Sequence, residues 1–270
     1  MSLKVEPVKI DEKLLNRVEQ GIWEFPSLHL IVGKIASGKS TFLHNIITRF
    51  WNPVFKENII LFSPTARNDP IMNTLIEGDK VFIHFTEFTN DIAKRVLEVI
   101  KEDENPKSRW LIILDDAMGM IPATNSREAR WFNKWIANFR HEPVEGKVSI
   151  IISIQKFSSV NNVVRSNLHY IYLLGKASEK ELKQYSEEMN AISGGSSDKF
   201  LELYKKSKEG DHPYHFMTLD FKQLRVLKDF DTLLFDGLNN QDVSAANKND
   251  ENKNVDIDNK EDGEEDTKEN

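Results

Sequence analysis

No cysteine occurs in the 270-residue chain. Disulfides and thiolate metal sites are therefore excluded, and the absence fits a reducing compartment. Apolar runs are short as well. LHLIV (28–32) and VSIIISI (148–154) are among the longest, whereas a membrane helix takes about 20 apolar residues. The opening residues, MSLKVEPVKIDEK, lack the apolar stretch of a secretory signal. These absences lead to the expectation of a soluble intracellular chain with no membrane span. Internal repeats are also missing. His29 and His141 have no companion ligands at metal spacing and are expected to be structural.

Excess charge is missing from most of the chain. The net charge is −7. Residues 239–270 carry 11 acids against 4 lysines, which accounts for all of it. The remainder is neutral, with 32 acidic and 32 basic residues. Overall acidity is thus no obstacle to a nucleic-acid partner for the folded part. The tail also lacks aromatics. It cannot bury enough apolar surface to offset its ordering entropy, so disorder is expected there. It reads first as a solubilising tail and second as an acidic arm competing with nucleic acid. The expected division is an extension at 1–24, a folded domain at 25–237 and an acidic tail at 238–270.

Between these ends, apolar strand-like runs alternate with helical ones. Strands are expected at 28–32, 58–62, 80–85, 110–115, 148–154, 169–174 and 215–221. Helical runs lie around 41–50, 90–102, 127–140 and 178–190, and a further helical stretch precedes the last strand. This order implies βαβ units and a mostly parallel sheet covered by helices on both faces. Ligands bind such sheets at the carboxyl ends of the strands.

GKIASGKST (33–41) stands at one of those ends. It fits the phosphate-binding pattern G-x-x-x-x-G-K-[ST] at Gly33, Gly38, Lys39 and Ser40. LHLIV before it suits a buried strand. TFLHNIITRF after it places Phe42, Ile46, Ile47 and Phe50 at helical spacing. Strand, glycine-rich turn and helix bring several N–H groups and the positive end of a helix to one concavity. The expected nucleotide-binding set is Gly33, Lys34, Ala36, Ser37, Gly38, Lys39, Ser40 and Thr41. Lys39 is expected on the β- and γ-phosphates and Ser40 on Mg²⁺. The fold class expected is an α/β P-loop NTPase, a three-layer sandwich with a mostly parallel central sheet.

WLIILDDAMG (110–119) supplies a second signal. Asp115, at the carboxyl end of a strand, can reach the Mg²⁺ shell beside Ser40. Asp116 can orient or deprotonate an attacking water. Asp also ends strands for reasons of turn chemistry alone, so the pair gains its meaning from the loop. Gln155 ends the strand VSIIISI, where it can hydrogen-bond the γ-phosphate or the water. Arg140 ends the helical run WFNKWIANFRH and can enter a neighbouring subunit's site, with Arg165 a second candidate. Either arginine can instead serve a helix C-terminus.

The combination resembles the viral genome-packaging ATPases of the FtsK–HerA class, of the poxvirus, large nucleocytoplasmic DNA virus and virophage type. The resemblance rests on FPSLHLIVGKIASGKST (25–41), IILFSPT (59–65), LIILDDAMG (111–119), NFRH (138–141), SIIISIQKFSSVNNVVRSNLHYIYLL (149–174) and PYHFMTLDF (213–221). It covers about 200 residues in order. It implies a RecA/FtsK-like fold and an ATP- and Mg²⁺-dependent ring homo-oligomer, pentamer or hexamer. Such a ring drives double-stranded DNA into a capsid without regard to sequence. Capsid vertex or portal proteins are implied partners, and the host cytoplasm, at a virus factory, and the virion are implied locations. The implied roles are Mg²⁺ support for Asp115, the catalytic acid position for Asp116, a strand-end sensor for Gln155, and the intersubunit finger for Arg140 first and Arg165 second. Asp116 stands where many relatives outside this viral group carry Glu. DNA contacts to phosphates are expected, with the basic stretches PKSR (106–109) and KKSK (205–208) as candidates. The alternatives are another P-loop assembly or DNA-export ATPase, and a nucleotide-gated structural protein with little turnover.

Overall fold

The computed structural model describes residues 23–122, 126–239 and 241–242. The chain begins its sheet with β1 (Leu28–Val32), β2 (Ile59–Phe62), β3 (Ile83–Phe85), β4 (Trp110–Leu114), β5 (Val148–Ile154) and β6 (Tyr170–Leu173). These six lie in the order β6-β1-β5-β4-β2-β3, and every pairing among them is parallel. All but β3 are buried along their whole length. That is why their sequences are apolar at nearly every position rather than at alternate ones.

Alternate side chains still separate into two layers. Leu28, Leu30, Val32, Ile112, Leu114, Ile150 and Ile152 share one core. That core also holds residues of α4 (Asn90–Glu102), α5 (Arg127–Asn138), α6 (Asn162–Ser166), α7 (Glu179–Met189) and α8 (Ser197–Ser207). Ile31, Leu61, Ile113, Ile151, Tyr170 and Tyr172 share the other. There they meet α1 (Lys39–Asn45), a π-helical turn (Ile46–Trp51), α2 (Asn52–Phe55) and α3 (Pro70–Glu77). The expected three-layer sandwich is present.

The helical run expected at 41–50 is α1 and the π turn. Ile46, Ile47, Phe50 and Trp51 are buried there. Within it the Thr48 hydroxyl donates to the carbonyl of His44 at 2.7 Å, a side-chain bond of the sort that distorts helices. The buried imidazole of His29 is held by the Ser27 hydroxyl at 2.6 Å and the Tyr172 hydroxyl at 3.1 Å. Burial and the nearby His169 and Lys222 keep its pKa well below the ordinary value. His29 is thus part of the second core, and exposed His141 lies 3.7 Å from Glu145.

The sheet extends beyond the expected strands. β7 (Met217–Asp220), β8 (Arg225–Lys228), β9 (Thr232–Asp236) and β10 (Gln241–Asp242) continue it from β6 by antiparallel pairings. β7 was expected; β8, β9 and β10 were not, and neither was α3. Gln241–Asp242 falls in the stretch expected to be tail. Trp23, in the expected extension, is buried against Phe50, Trp51 and Phe230. Of the expected extension and tail, residues 1–22, 240 and 243–270 lie outside the described residues.

Candidate nucleotide site

The loop after β1 crosses the carboxyl ends of β5 and β6. Gly33 N–H donates to Ile154 O at 3.1 Å, so the loop leaves the sheet beside the end of β5. A Cβ on Gly33 would stand 2.2 Å from Ser37 Oγ and 3.1 Å from Leu174 Cβ, so a larger residue there crowds the turn against the end of β6. Gly38 has φ +88°, the left-handed conformation that glycine takes at no steric cost. Ala36 also has positive φ, at 62°. From Gly38 the chain enters α1, whose first turn carries Lys39, Ser40 and Thr41.

The start of α1 differs from the other long helices. Asp69, Thr89, Ser126, Asn161, Ser178 and Ser196 each cap α3 to α8 in turn with a side-chain oxygen. Gly38 offers α1 no such group, and no acid lies in its first turn. Its leading N–H groups have no side-chain partner, the condition that suits an anion. Ser37 Oγ beside them is buried without a hydrogen bond. Lys39 Nζ bridges the loop, donating to Gly33 O at 2.7 Å and to Lys34 O at 3.0 Å. Burial pulls its pKa down, and the fields of Asp116 and Asp115 oppose that shift.

The two acids follow β4. Asp115 is 6% exposed. Burial pushes its pKa up, and the Ser63 hydroxyl, donating to Oδ2 at 3.1 Å, acts in the other direction. Asp116 turns the chain with φ +49°, a conformation Asp tolerates better than most residues. Its Oδ1 accepts a hydrogen bond from Gln155 Nε2 at 3.1 Å. β4 and β5 are neighbours, so the Asp-Asp turn and the strand-end glutamine meet, a contact the sequence reading had not named.

Three participants were missed from sequence. Ser40 Oγ donates to Asp69 Oδ2 at 2.6 Å. Ser63, at the end of β2, supports Asp115. Lys34 pairs with Glu181 at 2.9 Å, and Glu181 closes a capping box with Ser178 at the start of α7. Asp69-Pro70 was a legible helix start, Pro at N1 after an Asp cap. Its contact with the loop was not legible.

The arginines are not brought into this cluster. Arg140 follows α5 at the amino end of β5, where its carbonyl accepts from Gly146 N–H at 2.9 Å. β5 has seven residues, which puts roughly 20 Å between that end of the sheet and the loop. Arg140 is exposed, and no ion pair engages it among the described residues. Arg165 is bound within its own subunit by Glu188 and Asn162, with its guanidinium 5.4 Å from the Phe157 ring centre. Of the candidate DNA contacts, Lys208 is committed inward. Its Nζ donates to Leu173 O at 2.7 Å and to His215 O at 3.0 Å, and burial lowers its pKa to about 8.

Sheet order, loop and acid pair define a P-loop NTPase fold. No protein-family model matches the sequence, and no curated protein matches it at a significant level. Solved structures do resemble it. One is the genome packaging NTPase B204 from Sulfolobus turreted icosahedral virus 2 with ATP-γS. It is 16% identical, with a TM-score of 0.54, over 75% of this chain and 96% of that one. The AMP complex of the same protein gives 15%, 0.55, 76% and 98%. B204 from Sulfolobus turreted icosahedral virus, a DNA-packaging ATPase, gives 16%, 0.54, 75% and 96%. At this identity the likeness establishes the fold. Among the described residues no helix is long and apolar enough to cross a membrane.

Proposed function

We propose that this chain is an ATP-hydrolysing motor that moves double-stranded viral DNA into a capsid. It works as a ring of identical subunits of the FtsK–HerA class. The observation that carries the reading is the convergence, at the carboxyl ends of neighbouring central strands, of an uncapped helix start, Lys39 and Ser40, and the Asp115, Asp116 and Gln155 cluster. The fold likeness to B204, a genome packaging NTPase solved with ATP-γS, supports it. An intact set of Lys39, Ser40, Asp115 and Asp116 speaks against a gated structural protein that barely turns over.

The residues fit ATP and Mg²⁺. The uncapped N–H groups of α1, the unpartnered Ser37 hydroxyl and the nearby ammonium of Lys39 gather donors of the kind that suits an anion. Ser40 and Asp115 supply hard oxygen ligands suited to Mg²⁺. Bound there, the ion would neutralise charge on the phosphates. Asp116 takes the proton of the attacking water as general base. Gln155 donates to one oxygen of Asp116 and so fixes which oxygen faces that water. Arg140, free and distant from its own loop, serves the site of the next subunit. Arg165, engaged by Glu188, is the second choice. The assembly acts inside the host cell, at the virus factory, and contacts DNA through phosphates.

The test is phosphate release by the full chain, wild type and Lys39→Ala, with ATP and Mg²⁺. Turnover by the wild type and a loss of at least about 100-fold in the variant are expected, the scale of removing a dedicated charge-stabilising donor. Equal rates in the two proteins would refute the assignment.

A further inference from the structure

Ser40 is not free in its loop. Its hydroxyl proton goes to Asp69 Oδ2 at 2.6 Å, while Asp69 Oδ1 accepts the cap bonds from Ile71 N–H at 2.9 Å and Met72 N–H at 3.2 Å. The two oxygens of one carboxylate thus divide between a helix start and the expected metal ligand. A serine hydroxyl has one proton and two lone pairs. Once the proton is committed to Asp69, both lone pairs are available to a cation. Coordination would make the hydroxyl a stronger donor, so this hydrogen bond gains strength when the ion is bound.

We infer that Asp69 is a positioning residue of the cation site, a third carboxylate that orients Ser40 and sets the affinity for Mg²⁺ through it. The inference rests on the nucleotide reading above, and it names a residue that neither motif contains. It also gives α3 a link to the site. Asp69 is the N-cap of that helix, so a change at Ser40 reaches the first turn of α3 through a single side chain.

Substitution separates the two duties. Asp69→Asn keeps a good N-cap, because its carbonyl can accept the Ile71 and Met72 bonds. Its amide group then meets Ser40 as a donor. The serine must accept, and one lone pair is lost to the ion. Asp69→Ser also keeps a capping hydroxyl but is too short to reach Ser40.

The experiment is equilibrium binding of a fluorescent ATP analogue to the full chain, titrated with Mg²⁺ and repeated in EDTA. Thermal melts of each variant accompany it. For Asp69→Asn and Asp69→Ser, the Mg²⁺ concentration that half-maximally tightens binding should rise about 10- to 100-fold, the scale of losing an outer partner of a metal ligand. Affinity in EDTA should match the wild type. A Mg²⁺ dependence equal to wild type in either folded variant would overturn the inference and leave the nucleotide reading intact. A wild-type chain that binds no nucleotide under any condition would sink the reading and the inference with it.

Discussion

Asp115 shows how burial makes a carboxylate costly. It is nearly fully buried beside Asp116, and burial raises its pKa from the ordinary 3.8. Between 3.8 and the raised folded value, the folded chain binds more protons than the unfolded one. Stability from this group therefore rises as pH falls through that window, and above it the buried charge exacts its full cost. Asp115→Asn should raise the melting temperature of the ligand-free chain at pH 7. The advantage should shrink as pH is lowered into the window. Phosphate release should be lost in the same variant. A lower melting temperature at pH 7 would mean that the charge is already compensated. Gln155→Ala removes the side-chain donor that Asp116 has among the described residues. The maximum rate should fall, with little change in nucleotide affinity measured at equilibrium, because the contact is to the proposed general base. Lys39, Ser40, Asp115, Asp116 and Gln155 were legible because each is tied to a short motif at a strand end. Asp69 and Ser63 were not. Ser63 meets Asp115 because β2 lies beside β4, a pairing between segments some fifty residues apart, and Asp69 meets Ser40 because α3 packs against α1.

At the scale of elements, the loop depends on contacts that no neighbouring residue can replace. Gly33 meets Ser37 and Leu174, so Gly33→Ala must push apart the turn and the end of β6. A loss of about 1–3 kcal/mol in chemical denaturation is expected, the range for overpacking a filled site. Nucleotide affinity should fall too, since the displaced atoms belong to the anion cradle. The long buried strands were readable as continuous apolar runs, and α4, α5 and α7 as periodic ones. The antiparallel strands β8, β9 and β10 are two to five residues long. Runs this short, such as RVLK, carry too few alternations to stand out from a loop. They become strands because β7 already offers an edge. The short α3 was announced only by its Asp69-Pro70 start, not by its periodicity. Only Met72 and Leu75 are buried in it, half a helical pattern.

For the whole molecule, the two ends of the sheet hold the two halves of the proposed site. The loop and acid pair occupy the carboxyl end, and Arg140 stands at the amino end of β5. An arginine that acts on a site must then act on another subunit's. Mixing Arg140→Ala subunits with Lys39→Ala subunits should recover part of the turnover that each lacks alone, because a mixed interface restores one complete site. Full activity of Arg140→Ala by itself would move the role to Arg165 or remove it. The proposed ring was expected from the family resemblance alone, since subunit interfaces depend on surfaces rather than on periodicity.

The most direct test is movement along duplex DNA. A third strand annealed to a linear duplex reports on translocation when it is displaced. The account predicts displacement by the wild-type chain with ATP and Mg²⁺, none with Lys39→Ala, and phosphate release that rises when duplex is added. A chain that hydrolyses ATP at the same rate with or without duplex, and never displaces the third strand, would contradict it.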